Sequence, residues 1–186
     1  QVKESRKGFT NGQLDRDASL TGCVVALIFE KPSTRTRVSF DVGVRQLGGQ
    51  SLILSGADMQ LGHGESVSDT AQVLSRYVDL IMIRTFSAET LRELSEHSTV
   101  PVINGLTDHS HPCQIMADIL TFEEKRGSIS GKEILWIGDG NNVCNSLIQA
   151  SAKFNFLLKF SGPSALDPDK KVVKAAIADG AAFEIQ

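Results

Sequence analysis

The 186-residue sequence predicts an α/β fold of two domains, each with a central parallel sheet flanked by helices, the second incomplete in this chain. Three features predict it. Apolar, β-rich runs alternate with helical patterns almost throughout. The runs are continuously apolar more than alternating, which is how strands covered on both faces read. A small, polar, glycine-rich segment, GSISGK at 127–132, suits a junction between residues 1–128 and 129–186.

The strand candidates are 23–29 (CVVALIF), 51–55 (SLILS), 79–84 (DLIMIR), 100–104 (VPVIN), 133–138 (EILWIG), 156–160 (FLLKF) and 181–185 (AAFEI). Helices are expected between them. Residues 34–47 place Phe40, Val44 and Leu47 at i, i+4 and i+7, and Gly48-Gly49 stops the run. Residues 65–78 carry Val67, Ala71, Leu74 and Tyr77 on one face. Residues 88–97 follow Ser87 as N-cap. Residues 112–126 begin with Pro112 and stop at Gly127, and residues 142–154 follow the next strand. The last helix is expected to start at Asp167-Pro168 and end before Gly180. Beyond the junction only three strands remain, which make a poor independent domain. With the polar N-terminus and the end directly after a strand, this leads to the expectation of a fragment of a longer polypeptide.

Composition narrows the function. Hydrophobic residues make up 41% and charged residues 22%, ordinary for a soluble globular protein. A net charge of -3 supplies no basic surplus for nucleic acid. No run reaches the roughly 18 apolar residues of a membrane span, and the polar N-terminus has no signal-peptide core. Cys23, Cys113 and Cys144 are odd in number and widely spaced, without a CxxC pair or a Cys/His cluster. A reduced cytoplasmic setting, with no metal and no cofactor, is expected.

The informative stretch is EKPSTRTRVSF, residues 30–40, directly after the first apolar strand. Loops at the carboxyl ends of parallel strands collect ligands. The following helix aims unpaired N–H groups and a partial positive charge into such a loop. Ser33, Thr34 and Thr36 add hydroxyls, and Arg35 and Arg37 add planar forks matched to phosphate oxygens. An anion, and phosphate above all, is the expected ligand; a helix cap with solvated arginines is the alternative. Three further strand-end loops supply Gln60 and His63, then Arg84, then His109, His111 and Gln114. Arg84 on an apolar strand calls either for an anion or for a structural salt bridge. His111 at a helix N-terminus would stay a neutral imidazole able to donate a hydrogen bond, or would serve as a cap with Gln114 solvated. His109 and His63 read as loop residues, and His97 as a partner of a helix dipole.

Taken together, FEKPSTRTRVSFDVGVRQLGG, MQLGHGES, IMIRTF, HPCQIMADILTFEEKRG and WIGDGNN resemble the aspartate/ornithine carbamoyltransferase family, over about residues 20–160. FEKPSTRTR and GDGNN are similar to its ornithine branch. The resemblance implies that Ser33, Thr34, Arg35 and Thr36 bind the phosphate of carbamoyl phosphate. It implies that Arg84 reaches both phosphate and carbonyl, that His111 and Gln114 hold the carbamoyl group, and that Gln60 adds a contact near a subunit boundary. It implies that Asn142 binds ornithine, and that the protein works as a homotrimer or a multiple of trimers. The ornithine amine would attack the carbamoyl carbon while Arg84, Thr36 and His111 stabilise charge on the carbonyl oxygen.

Departures and competitors frame that expectation. The family's later DxxSMG and HCLP segments do not occur in these 186 residues, so carbamoyl phosphate binding with little turnover is expected of the chain alone. Alternatives are transfer to putrescine, N-acetylornithine or aspartate, and a catalytically incomplete carbamoyl phosphate-binding module. Gly138 and Gly140 form a partial dinucleotide fingerprint, but Val143 stands where the third glycine belongs. Cys113 is read as packing and not as a nucleophile, because no second base accompanies it; Cys144 is read as core.

Overall fold

A computed structural model describes residues 8–56, 59 and 64–186. The chain forms two compact units, residues 1–105 and 106–186. In chain order the elements are β1 (Val24–Phe29), α1 (Thr34–Gln46), β2 (Gln50–Ser55), α2 (Val67–Leu74), β3 (Leu80–Arg84), α3 (Ala88–His97), β4 (Val102–Leu106), α4 (Pro112–Arg126), β5 (Glu133–Ile137), α5 (Asn142–Phe154), β6 (Leu157–Ser161), a 3-10 turn at Ser164–Leu166, α6 (Lys170–Ala178) and β7 (Ala182–Ile185).

The first sheet has the order β2-β1-β3-β4, and β1 runs parallel to both of its neighbours. Its burial explains the uninterrupted apolar sequence of β1. Val25 and Leu27 face one core with Val44 of α1 and Met82. Ala26 and Ile28 face the opposite core with Ala71 of α2, Leu94 of α3, Ile81 and Ile83. Successive residues of one strand point to opposite faces, so a strand with helices on both sides has no polar position to spare. Gly105 of β4 also lies in close packing: a Cβ there would stand 2.4 Å from Met82 Sδ and 3.0 Å from the Ile83 carbonyl oxygen.

Caps set the helix limits. Ser87 accepts from the N–H groups of Glu89 and Thr90, as expected at the start of α3. Ser66 caps α2, accepting from Asp69 N–H. α2 is shorter than the apolar spacing predicted. It ends at Leu74 with Ser75 as C-cap, so Tyr77 falls out of helical phase and is 75% exposed instead of joining Val67, Ala71 and Leu74. β4 starts at Val102, two residues later than expected, after Pro101, which has no N–H for a ladder.

The second sheet has the order β5-β6-β7, all parallel. Its core joins Leu158 and Phe160 of β6 to Ile115 and Ile119 of α4, Cys144 and Ile148 of α5, and Val172 and Ala176 of α6. On β5, Ile134 and Trp136 pack against that core, whereas Leu135 and Ile137 are 52% and 77% exposed. Among the described residues this strand is therefore covered on one face, unlike the two-sided burial that its apolar sequence implied. The last helix starts later than expected: Asp169 is its N-cap, accepting from Lys171 N–H, and Asp167 and Pro168 link it to the 3-10 turn. The glycine-rich junction is a loop between α4 and β5, with Gly127 and Gly131 at positive φ. Because α4 shares its core with α5 and β6, division by packing falls at residues 105 and 106, whereas the glycine-rich loop led us to expect it at 128 and 129.

Burial predicts opposite fates for two large side chains. Leu94→Ala should destabilise the protein by about 2–5 kcal/mol, through lost transfer energy and a residual cavity. Tyr77→Ala should stay within about 0.5 kcal/mol of the parent. Denaturant midpoints measure both, and equal losses would contradict the end of α2 at Leu74.

Candidate active site

The first group of candidate side chains lies at the carboxyl edge of the first sheet. The register pairs Phe29 with Ser55 on one side and with Arg84 on the other, so β1, β2 and β3 end level. The chain leaving β1 is tied to the end of β3, because Glu30 N–H and Lys31 N–H both donate to the Arg84 carbonyl, at 3.0 and 3.4 Å. Ser33 then caps α1. Its Oγ accepts from Thr36 N–H at 3.3 Å and donates to Thr36 Oγ1 at 2.9 Å. The two hydroxyls are thus oriented by each other before any ligand arrives. Thr34 and Arg35 are exposed on the first turn, and Thr36 is half-buried. A cleft of about 510 Å³ opens beside Ser33 and Thr34 and takes in Arg37.

Arg84 is the most constrained member. Its Nε is buried and has no hydrogen-bond partner among the described residues. Burial, and then the neighbouring Arg35 guanidinium, push its pKa below the ordinary arginine value. Both effects work against holding a cation there. No described carboxylate forms an ion pair with Arg84, so the structural salt bridge considered from sequence has no partner among these residues. Two guanidinium groups close enough to repel, beside oriented hydroxyls and a helix N-terminus, make a local field suited to a multiply charged anion.

The second group belongs to the second unit. His111 occupies the N-cap position of α4, immediately before Pro112, and its side chain makes no capping bond. Gln114, in the first turn, is exposed and donates from Nε2 to Asp118 Oδ1 at 2.9 Å. Asn142, the first residue of α5, donates from Nδ2 to the Thr107 carbonyl at 2.9 Å. This leaves its Oδ1 side for other contacts. Gln60 and His63 lie outside the described residues.

The GDGNN turn has a conformational reason for its glycines. Gly138 N–H donates to the Ser161 carbonyl at 3.0 Å, and Gly140 N–H to the Leu166 carbonyl at 2.7 Å. A Cβ on Gly140 would lie 2.4 Å from the backbone of Pro168. Asn141 caps α5 by accepting from Val143 and Cys144 N–H, and Trp136 Nε1 donates to the Asp139 carbonyl at 3.0 Å. The partial dinucleotide fingerprint is accounted for as a site where one backbone packs on another.

Neither cysteine in this unit is poised for nucleophilic attack. Burial raises the Cys113 thiol above its ordinary value. Cys144, fully buried, is pushed up to about 12 by burial first and by Asp139 second. A thiol is nucleophilic as the thiolate, so both stay inert near neutrality.

Sequence reasoning missed Thr107, Asn145 and Ser146, which hold the loop leading to His111. The signal for Asn145 and Ser146 was their spacing of i+3 and i+4 from Asn142 on α5. Among the described residues no helix is long and apolar enough to cross a membrane.

Two family profiles, curated relatives and solved structures point to one family. The profile described as aspartate/ornithine carbamoyltransferase, carbamoyl-P binding domain, matches residues 1–124. The profile described as aspartate/ornithine carbamoyltransferase, Asp/Orn binding domain, matches residues 130–186. The ornithine carbamoyltransferase of Cereibacter sphaeroides (strain ATCC 17029 / ATH 2.4.9) is 62% identical over 185 residues, covering 100% of this chain and 60% of the relative. That of Roseobacter denitrificans is 65% identical over 179 residues, 96% of this chain and 58% of the relative. The chain therefore spans about three-fifths of the length of these curated relatives. Among solved structures, the ornithine carbamoyltransferase of Burkholderia thailandensis E264 superposes with a TM-score of 0.88 at 44% identity, covering 100% of this chain and 61% of that one. The Pyrococcus furiosus enzyme gives 0.86 at 47% identity, covering 92% and 56%.

Gly140→Ala should force the 138–142 turn away from Pro168 and destabilise the second unit by about 1–3 kcal/mol, the usual range for overpacking. Trp136, the one tryptophan of the sequence, bonds to this turn, so its emission should shift in the folded variant. An unchanged denaturant midpoint and spectrum would refute the close contact.

Proposed function

The chain belongs to the aspartate/ornithine carbamoyltransferase family, and on that premise we propose that the protein transfers the carbamoyl group of carbamoyl phosphate to the side-chain amine of L-ornithine, giving L-citrulline and phosphate. The observation that carries the proposal is the buried Nε of Arg84, which has no hydrogen-bond partner among the described residues, beside the Arg35 guanidinium. A dianionic phosphate with an adjoining carbonyl would supply both the charge and the acceptors that this pair lacks.

The roles follow from where charge develops. Ser33, Thr34, Arg35 and Thr36 hold the phosphate, at the N-terminus of α1. Arg84, Thr36 and His111 are the catalytic residues, donating to the carbamoyl oxygen as the amine attacks. Gln114 and Gln60 complete the carbamoyl phosphate contacts, and Asn142 binds ornithine. In the reaction the neutral amine nitrogen forms a bond to the carbamoyl carbon. The bond from that carbon to the phosphate oxygen breaks, the electron pair leaves with phosphate, and the nitrogen gives up a proton. Donors aimed at the developing oxyanion are the principal catalytic resource, each contributing about 3 kcal/mol.

In this reading residues 1–128 form the carbamoyl phosphate-binding domain and residues 129–186 part of the ornithine-binding domain. The spans of the two matching profiles support that division. A cytoplasmic homotrimer, or a multiple of trimers, serving arginine biosynthesis or catabolism, belongs to the same proposal.

Citrulline formation from carbamoyl phosphate and ornithine, with aspartate and putrescine in parallel, tests the reaction. Turnover confined to ornithine is expected; equal use of aspartate would overturn the assignment of the amine. Arg35→Ala should weaken carbamoyl phosphate and inorganic phosphate alike, by about 1.5–3 kcal/mol, the range for a charge-assisted hydrogen bond. Unchanged affinity for both would remove the loop after β1 from the site. His111→Ala should instead lower the maximal rate by a factor of 10 to 1,000 while phosphate affinity holds, since its donor acts on the carbonyl. Full activity in that variant would exclude His111 from the mechanism.

A further inference from the structure

We propose that Ser146 and Asn145, on the inner face of α5, are positioning residues that set the direction in which His111 presents its imidazole; the inference rests on the carbamoyl-transfer reading above. The loop from Thr107 to His111 is folded on itself and tied to α5. Thr107 is fully buried, and its Oγ1 accepts from His109 N–H at 3.2 Å and Ser110 N–H at 3.0 Å, folding the loop into a tight turn. Three side chains of α5 then secure the backbone of that turn. Asn142 Nδ2 donates to the Thr107 carbonyl at 2.9 Å, Asn145 Nδ2 to the His109 carbonyl at 3.1 Å, and Ser146 Oγ accepts from His111 N–H at 2.8 Å.

Positions 142, 145 and 146 are i, i+3 and i+4, so they share one helix face. Asn145 and Ser146 are 5% and 4% exposed in a helix that otherwise buries Cys144, Leu147 and Ile148. Polar side chains in such a face are costly unless they are bonded. Each of these bonds ends on the loop backbone, and the Ser146 bond ends on His111 itself. Because Pro112 fixes φ at the first residue of α4, the direction of the His111 Cα–Cβ bond is left to the backbone angles of His111. Ser146 restrains these at the N–H. A displacement of about 1 Å in such a group is enough to cost on the order of a hundredfold in a positioned reaction.

The distinguishing readout is ligand preference. His111 is assigned to the carbamoyl carbonyl, whereas inorganic phosphate needs only the Ser33–Thr36 turn and the arginines. Calorimetric affinities of the full chain for carbamoyl phosphate and for inorganic phosphate should show a preference for carbamoyl phosphate that His111→Ala abolishes. Ser146→Ala should lower carbamoyl phosphate affinity about tenfold, with phosphate affinity nearly unchanged. Ser146→Thr, which keeps the hydroxyl, should restore most of it. Should Ser146→Ala unfold at the assay temperature, Asn145→Ala, which removes only the donor to His109, is expected to give the same selective loss. No preference in the parent protein would overturn the carbamoyl-transfer reading and this inference with it. A preference that survives in both positioning variants, or a parallel loss of both affinities, would overturn this inference alone.

Discussion

The register of β1 against its two neighbours is the constraint on which the first site depends. With Phe29 level with Ser55 and Arg84, three strands deliver their loops to one edge of the sheet. The bonds from Glu30 and Lys31 N–H to the Arg84 carbonyl then join the loop that carries the hydroxyls to the strand that carries the guanidinium. A slip of one residue would turn Arg84 to the other face and exchange the residues of the two cores. Registry is strongly specified here because both faces are packed: Val25 and Leu27 on one side and Ala26 and Ile28 on the other admit no alternative polar pattern. The geometry of the proposed anion site is therefore a consequence of core packing.

The second unit reaches comparable precision by other means. Its loops are positioned by backbone contacts that only glycine permits and by side chains that end on main-chain atoms. Gly140 packs on Pro168, and a Cβ on Gly162 would stand 2.2 Å from the Gly138 carbonyl oxygen. Asn141, Asn142, Asn145 and Ser146 give the N-terminal half of α5 a polar lining in which each residue bonds to the main chain of α5 or of the loop before α4. The proposed ornithine residue and the residues that orient His111 thus lie on one helix.

How much of this was legible in the sequence depended on how local each determinant is. All seven strands were visible, because β-rich apolar runs between turn residues are a local signal, and α3, α4 and α5 matched their expected limits because Ser87, Pro112, Gly127 and Asn142 lie at or beside their ends. Tyr77 misled because amphipathic spacing continues past Leu74 although the helix does not. The 3-10 turn before α6 misled because Asp167 and Asp169 are equally good caps. One-sided burial of β5 was not legible, since Leu135 and Ile137 read as core from sequence. The cluster around Ser33 was legible because its members lie within four residues. The restraint on His111 was not, because Ser146 is 35 residues away and neither residue type announces the pairing.

Arg84 and Arg35 show what the first site costs the fold. A cation whose Nε is desolvated, next to a second cation, weakens the folded chain, and no described carboxylate offsets it. Replacing Arg84 by an apolar residue of similar volume would relieve that strain, as it does for other buried charges. The arrangement makes sense when the compensating charge is a ligand. Binding to the folded state alone contributes RT ln(1 + [L]/Kd), about 2.7 kcal/mol at a hundredfold excess over Kd. In the proposed reaction that Arg84 donor, which has no partner among the described residues, would be a source of affinity. In the proposed reaction a donor aimed and dehydrated beforehand would need little reorganisation when charge moves onto the carbonyl oxygen. An Arg84 neutralised by a carboxylate of the chain would be more stable and would do neither.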